Sequence, residues 1–284
     1  MSNYLATEQK KVASGDRALT KASVKRFPLP RTIAFLGVVL ALSLSYPAFV
    51  RAHDLWINIS SHFVKPGQAV KAYLGWGHHY PFSDFLSPTR VQSISVLMPD
   101  GTMVPLTPRD EGPGIPIEVK EDGVYMVGVA MKPGYYTKTK KGHTFKSKKE
   151  SQDVISSIWY EKSAKAVFCA GRATNGAYEK SFGHSVEIIP LDNPCGVRAG
   201  NSLRVKVLLN GKPLGDAFLY KSRLGDSGND ALPCPAKTDS KGIAKILLDK
   251  AGIWRLMVKE KRPPADPSLC DYRTYTAFFT IAVR

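Results

Sequence analysis

The chain has 284 residues, 43% apolar and 23% charged, a globular composition that excludes a mostly disordered protein. Gly 23 and Pro 20 recur without a period, which excludes collagen-like and solenoid architectures. Forty Lys and Arg against 24 Asp and Glu give a net charge of +16, and the length admits two domains.

Residues 1–31 are polar and end in a basic flank, Lys25, Arg26 and Arg31. Ile33–Leu44 follows as a twelve-residue apolar core broken only by Gly37 and Ser43. That is the length of a signal-peptide core and short of the ~20 residues a spanning helix needs. Tyr46-Pro47 ends it, and Val50-Arg51-Ala52 supplies the −3 and −1 positions of a cleavage site. Cleavage after Ala52 makes His53 the first mature residue. The alternative is an uncleaved anchor, in which residues 32–50 form the only membrane contact. Both place residues 53–284 outside the cytoplasm, in the periplasm, because the basic flank stays inside. Residues 1–52 hold eight Lys and Arg and two acids, leaving 32 basic against 22 acidic residues, +10, for the rest. Lys138 to Lys149 has six lysines and no acid; in an exported chain it reads as a solvated loop, and no nucleic-acid partner is expected.

Strand signals dominate the mature chain. Leu55, Ile57 and Ile59 alternate with Trp56 and Asn58, and Val70, Ala72, Leu74 and Trp76 alternate after a Pro66-Gly67 turn. Val91–Met98 runs into the hairpin signal Pro99-Asp100-Gly101, and Tyr125, Val127, Val129 and Met131 form another period-2 run. Val154, Ile155, Ile158 and Trp159 fall at helical spacing and predict one helix over 150–168. Ser185–Ile189 returns to strand. Beyond Pro190, strands at Leu203–Leu208, Ile243–Leu248, Ile253–Val258 and Thr274–Val283 alternate with turns at Asn210-Gly211 and Asp239–Gly242. The expected fold is all-β: two β-sandwich, immunoglobulin-like domains, 53–190 and 191–284, with one short helix, after the signal or anchor segment 1–52.

The four cysteines, Cys169, Cys195, Cys234 and Cys270, all follow the signal and have no zinc-type spacing. They predict two structural disulfides in an oxidising compartment. Three connectivities are open; neighbour pairing, Cys169–Cys195 and Cys234–Cys270, keeps each bridge within one half of the chain.

All six histidines, His53, His62, His78, His79, His143 and His184, precede residue 185. Imidazole is the commonest ligand for first-row transition metals. After cleavage, the amine and ring Nδ1 of His53 chelate one ion together, and a second histidine from Gly77-His78-His79-Tyr80-Pro81 completes a histidine brace. Neighbours on a strand point to opposite faces, so one of His78 and His79 serves. His184, leaving a glycine-bearing loop, is a further candidate ligand, and Asp84 a carboxylate contributor; His62 and His143 read as turn and loop residues. No GxSxG, HExxH, P-loop or GxGxxG occurs, and no enzymatic role is expected.

HDLWI at 53–57, KPGQAV at 65–70, GHHYP at 77–81, KPGYYTKTKKG at 132–142, EIIPLDNP at 187–194, NGKPL at 210–214 and TDSKGIAKILLDKAGIWRL at 238–256 follow in order. Together they resemble the family catalogued as domain of unknown function 4198, over essentially the whole mature chain. The resemblance implies a periplasmic, non-enzymatic, β-rich protein associated with nickel or cobalt uptake, with a permease or outer-membrane receptor as partner. It supports His53 and His78 as ligands. The stretch Arg255-Leu256-Met257-Val258-Lys259 lacks the histidine that often follows the family's last strand motif. Two other readings remain: a copper-binding histidine-brace protein, either chaperone or oxidative enzyme with Tyr80 as axial candidate, and a structural or adhesion module of the cell envelope.

Overall fold

The computed structural model describes residues 53–78, 81, 83–109, 114–226 and 232–284. The signal or anchor segment, His79 and Tyr80 lie outside the described residues. No helix among the described residues is long and apolar enough to cross a membrane.

The chain is all-β. In order, the strands are β1 (Asp54–Ile59), β2 (Phe63–Val64), β3 (Ala69–Gly77), β4 (Asp84–Phe85), β5 (Val91–Leu97), β6 (Met103–Pro105), β7 (Ile115–Glu118), β8 (Gly123–Met131), β9 (Gly134–Thr139) and β10 (Gly142–Thr144). There follow β11 (Val154–Ala170), β12 (Val186–Pro190), β13 (Asn201–Leu209), β14 (Lys212–Pro213), β15 (Phe218–Arg223), β16 (Leu232–Lys237), β17 (Ile243–Leu248), β18 (Gly252–Arg262) and β19 (Tyr272–Val283). Two 3-10 turns, Pro88–Arg90 and Pro194–Gly196, are the helical elements among them.

A large sheet of 11 strands has the path β16-β15-β18-β19-β11-β8-β5-β6, with β2, β9 and β10 attached beside it. One small sheet, β1, β3, β4 and β7, and another, β12, β13, β14 and β17, complete the structure. Side chains alternate across a strand, and the large sheet uses both faces. Ala164, Ala166 and Phe168 of β11 and Phe278 of β19 pack with Leu55, Ile57, Val70 and Ile117 of the first small sheet. Val167 of β11 and Ala277, Phe279 and Ile281 of β19 pack with Ile188, Val205 and Ile246 of the second. The two sandwich cores are therefore present, but they share the sheet between them. The described residues from 53 onward cluster as one compact unit, and the large sheet joins strands from both sides of residue 190 because β19 pairs with β11 in parallel, Ile158 opposite Tyr272.

The helix expected over 150–168 is instead β11, a 17-residue strand. A register irregularity between Val154 and Ser156 puts Val154 and Ile155 out of period and imitates helical spacing. From Lys162 to Ala170 the strand is buried on both faces, so alternation of apolar and polar residues is lost.

Cys169 and Cys195 form a disulfide, Cα–Cα 5.8 Å. Cys270 is a buried free thiol, which corrects the expected Cys234–Cys270 bridge. The side chain of Cys234 lies outside the described residues, but its backbone sits in β16 beside Pro233, opposite Tyr220. Tyr220 faces Met257, and Met257 faces Phe278. Cys270 precedes Tyr272, so it lies about 20 Å back along the strand direction at ~3.3 Å per residue. A disulfide requires Cα atoms within about 7 Å.

Candidate metal centre

The antiparallel register of β1 and β3 sets Asp54 opposite Gly77 and Leu55 opposite Trp76. One step further, His53 meets His78. Cross-strand partners share a face, and the two imidazoles lie edge to face with centroids 4.5 Å apart. The Trp76 indole, on the same face, lies 5.3 Å from the His53 ring. Pro81 lies against β1, where its carbonyl accepts from Trp56 Nε1 at 3.1 Å and Asn58 Nδ2 at 2.8 Å. Gly75 has no room for a side chain, since a Cβ would fall 2.0 Å from Trp56 Nε1. Gly77, at φ +143°, lies against Ser83, whose hydroxyl accepts from the His78 amide at 3.3 Å.

Cations surround the pair. Arg90 lies 4.4 Å from the Trp76 centroid and Lys162 Nζ 5.2 Å. Lys162 Nζ donates to the His53 carbonyl and so fixes the backbone where β1 begins. Burial lowers the His53 pKa, and the charges of His78, Lys162 and Arg90 add to this against the opposing pull of Asp84. These influences favour the neutral ring, the form that ligates metal. Burial also pushes Lys162 down to about 8, against the favourable charge of Asp54. Lys162 is 7% exposed.

Lys162 supplies a stability prediction for the metal-free protein. A lysine whose folded pKa is depressed costs stability wherever it must be charged in the fold. Stability from this group therefore rises as pH increases from about 8 to its unfolded value near ~10.4. Lys162→Met removes this dependence. Wild type should gain about 3 kcal/mol relative to Lys162→Met between pH 8 and pH 10.5, read from urea unfolding; parallel profiles would refute a buried, charged Lys162.

The remaining histidines do not join this cluster. His184 was a candidate ligand, but β11 separates it from His53. Lys162, with Ala164 and Ala166, faces His53, whereas Ser163 and Lys165 project to the other side. On that side the Ser163 hydroxyl donates to the Val186 carbonyl at 2.6 Å and Lys165 Nζ pairs with Glu187 at 2.5 Å. The His184 amide donates to the same Glu187 at 2.6 Å. Burial holds His184 at about 4, with Glu187 opposing the shift. His62 is buried, with Nδ1 2.7 Å from the Val167 carbonyl. His143 stacks on Tyr136 at 5.3 Å in the exposed β9–β10 hairpin. Among the described residues no three His, Cys, Asp or Glu side chains converge on one point. His53 and His78 therefore bring two imidazoles together, and no third such side chain among the described residues joins them. Sequence reasoning did not find Lys162, Arg90 or Trp76; the one available signal was a lysine at the core-facing parity of Ala164 and Ala166.

The sequence matches the family described as Domain of unknown function (DUF4198) over residues 50–262. No curated protein matches it. Among solved structures, the D0-D1 domain of Intimin is 13% identical, covering 80% of this chain and 97% of that one, at a TM-score of 0.20. Three N-terminal domains of the bacteriophage RB49 Hoc capsid protein are 13% identical, with 82% and 71% covered, at 0.21. A chimeric titin Z1Z2 is 12% identical, with 82% and 99% covered, at 0.20. Scores this low carry no argument about fold or function.

Proposed function

Starting from the chain's membership of the family catalogued as domain of unknown function 4198, we propose that it is a periplasmic metal-binding accessory protein of a nickel or cobalt uptake system. The observation that carries this reading is the placing of the two imidazoles side by side, at 4.5 Å, by the β1–β3 register. His53 contributes its ring and, after cleavage behind Ala52, its amine; His78 contributes the second ring. The divalent ion is cargo, to be passed to a permease or received from an outer-membrane receptor. The Cys169–Cys195 disulfide supports an oxidising compartment. Copper is the second reading. The same donors suit Cu(II), which prefers tetragonal nitrogen sites and tops the divalent affinity series. On this reading, supply and partner rather than the site select the ion.

Calorimetry with Ni(II) tests it. Processed protein should bind one ion, and His53→Ala and His78→Ala should each weaken binding at least tenfold. An N-terminally extended form should do the same, while His184→Ala and His143→Ala change nothing. Affinity should fall as pH drops below the ordinary imidazole range near ~6.5, because protons compete for the donors. Undiminished binding in a His53→Ala/His78→Ala double variant would sink the proposal. Undiminished binding in the extended form would remove the amine alone.

A further inference from the structure

A second site lies beside the disulfide, away from the histidines. A cavity of about 600 Å³ is walled by Cys169 and Cys195 and carries Lys65, Arg172, Arg198 and Arg284 on its lining, with no Asp or Glu among the lining residues. Arg198 Nη1 and Arg284 Nη2 both donate to one acceptor, the Cys195 carbonyl, at 3.5 and 3.4 Å. Their nitrogens are thus within about 7 Å of each other, at which distance like charges repel. Arg198 Nη1 also donates to the Val197 carbonyl at 3.3 Å, and the Arg284 guanidinium lies over the Phe63 ring at 4.3 Å.

None of the four cations takes part in an ion pair among the described residues. The main-chain oxygen of Arg284 is turned to the Ala199 amide at 2.8 Å. Asp122 packs against Gly171 at the rim, where a Cβ would fall 1.7 Å from its carboxylate, and it too makes no ion pair among the described residues. The acceptor itself is held in place. The Cys195 amide donates to Asn193 Oδ1 at 2.9 Å, and the disulfide ties Cys195 to β11. Such fixed guanidiniums are suited to bidentate binding of carboxylate or phosphate oxygens, and their prior ordering lowers the entropy lost on binding.

We propose that this cavity binds a small polyvalent anion, one bearing two or more carboxylate or phosphate groups. The proposal does not depend on the metal centre. Calorimetry of the whole protein in 150 mM chloride, with citrate and with inorganic pyrophosphate as separate probes, tests it. At least one should bind saturably at 1:1; the tighter of the two assigns carboxylate or phosphate as the recognised group. Arg198→Gln and Arg284→Gln should each weaken binding at least fivefold, and Arg198→Lys less. Arg172→Gln, whose side chain makes no hydrogen bond among the described residues, keeps the test open should either of those fail to fold, and should weaken binding at least threefold. The triple variant Lys138→Gln/Lys140→Gln/Lys141→Gln, which removes the same sign of charge in the β9–β10 hairpin, should bind as wild type does. Absence of saturable binding by both probes, or an equal loss in the hairpin variant, would overturn the proposal, the latter by reducing the effect to net charge.

Discussion

Glu187→Leu is expected to lower the unfolding free energy by about 3–5 kcal/mol, the cost of leaving one partner of a buried ion pair alone. Glu187 and Lys165 are 1% and 2% exposed. The carboxylate takes four donors: Lys165 Nζ at 2.5 Å, the Ser181 hydroxyl at 2.8 Å, and the amides of Phe182 and His184 at 3.0 and 2.6 Å. It thereby pins the 181–184 loop against β8, where the Phe182 ring fills the space a Cβ of Gly128 would need, 2.4 Å away. Leucine removes the acceptor and leaves a lysine in the core with no counter-charge. Adding Lys165→Met should recover part of the loss, the share due to the unpaired lysine, since the Ser181 hydroxyl and the Phe182 and His184 amides still lack their acceptor. Burial raises the Glu187 pKa, but Lys165 and the donated hydrogen bonds outweigh it and hold the group below the usual carboxylate range. Its contribution is complete above about pH 4.3, the unfolded value, and is lost as pH falls through the lower folded value. Urea titrations of the single and double variants at pH 7 measure this. A loss below about 1 kcal/mol for Glu187→Leu would mean that the pair is wetter than its burial implies.

Cys169→Ala/Cys195→Ala should cost about 3–4 kcal/mol by the loop-entropy relation, given a sequence separation of 26. The bridge joins the end of β11 to the turn before β13, and so fastens the large sheet to the second small sheet. Dithiothreitol should lower the melting temperature of wild type and leave the double variant unmoved. Thiol titration of the unfolded, unreduced wild type should give two thiols, from Cys234 and Cys270. Finding none would restore the second bridge and contradict the strand register.

The all-β class was legible because strands with one wet face keep their period. In β17, Ala244, Ile246 and Leu248 are buried while Lys245 and Leu247 are exposed. β11 was not legible as a strand, since residues 162–170 are buried on both faces and leave no polar side to read. The shared sheet was equally hidden. The pairing of Ser157 with Asp271, whose carboxylate accepts from the Ser157 amide at 2.7 Å across 114 residues, leaves no local trace. At the candidate centre, the pairing of His53 with His78 follows from counting back along two alternating runs joined by a turn. Lys162 reaches the His53 carbonyl from 109 residues away and depends on tertiary packing alone.

The position of β19 has a consequence for how the molecule comes together. It lies between β18 and β11 in the large sheet, pairing with the first over Gly252–Arg262 and with the second over Ile158–Ala166. Until β19 is in place, β15, β16 and β18 on one side and β5, β6, β8 and β11 on the other have no strand between them. Each half presents an open edge with unpaired amides and carbonyls. The large sheet therefore closes from its middle, when β19 is seated between two waiting half-sheets. Such non-local, partly parallel pairing is slow, so the interval before closure is when the chain is most exposed to edge-to-edge association and most open to a holding chaperone.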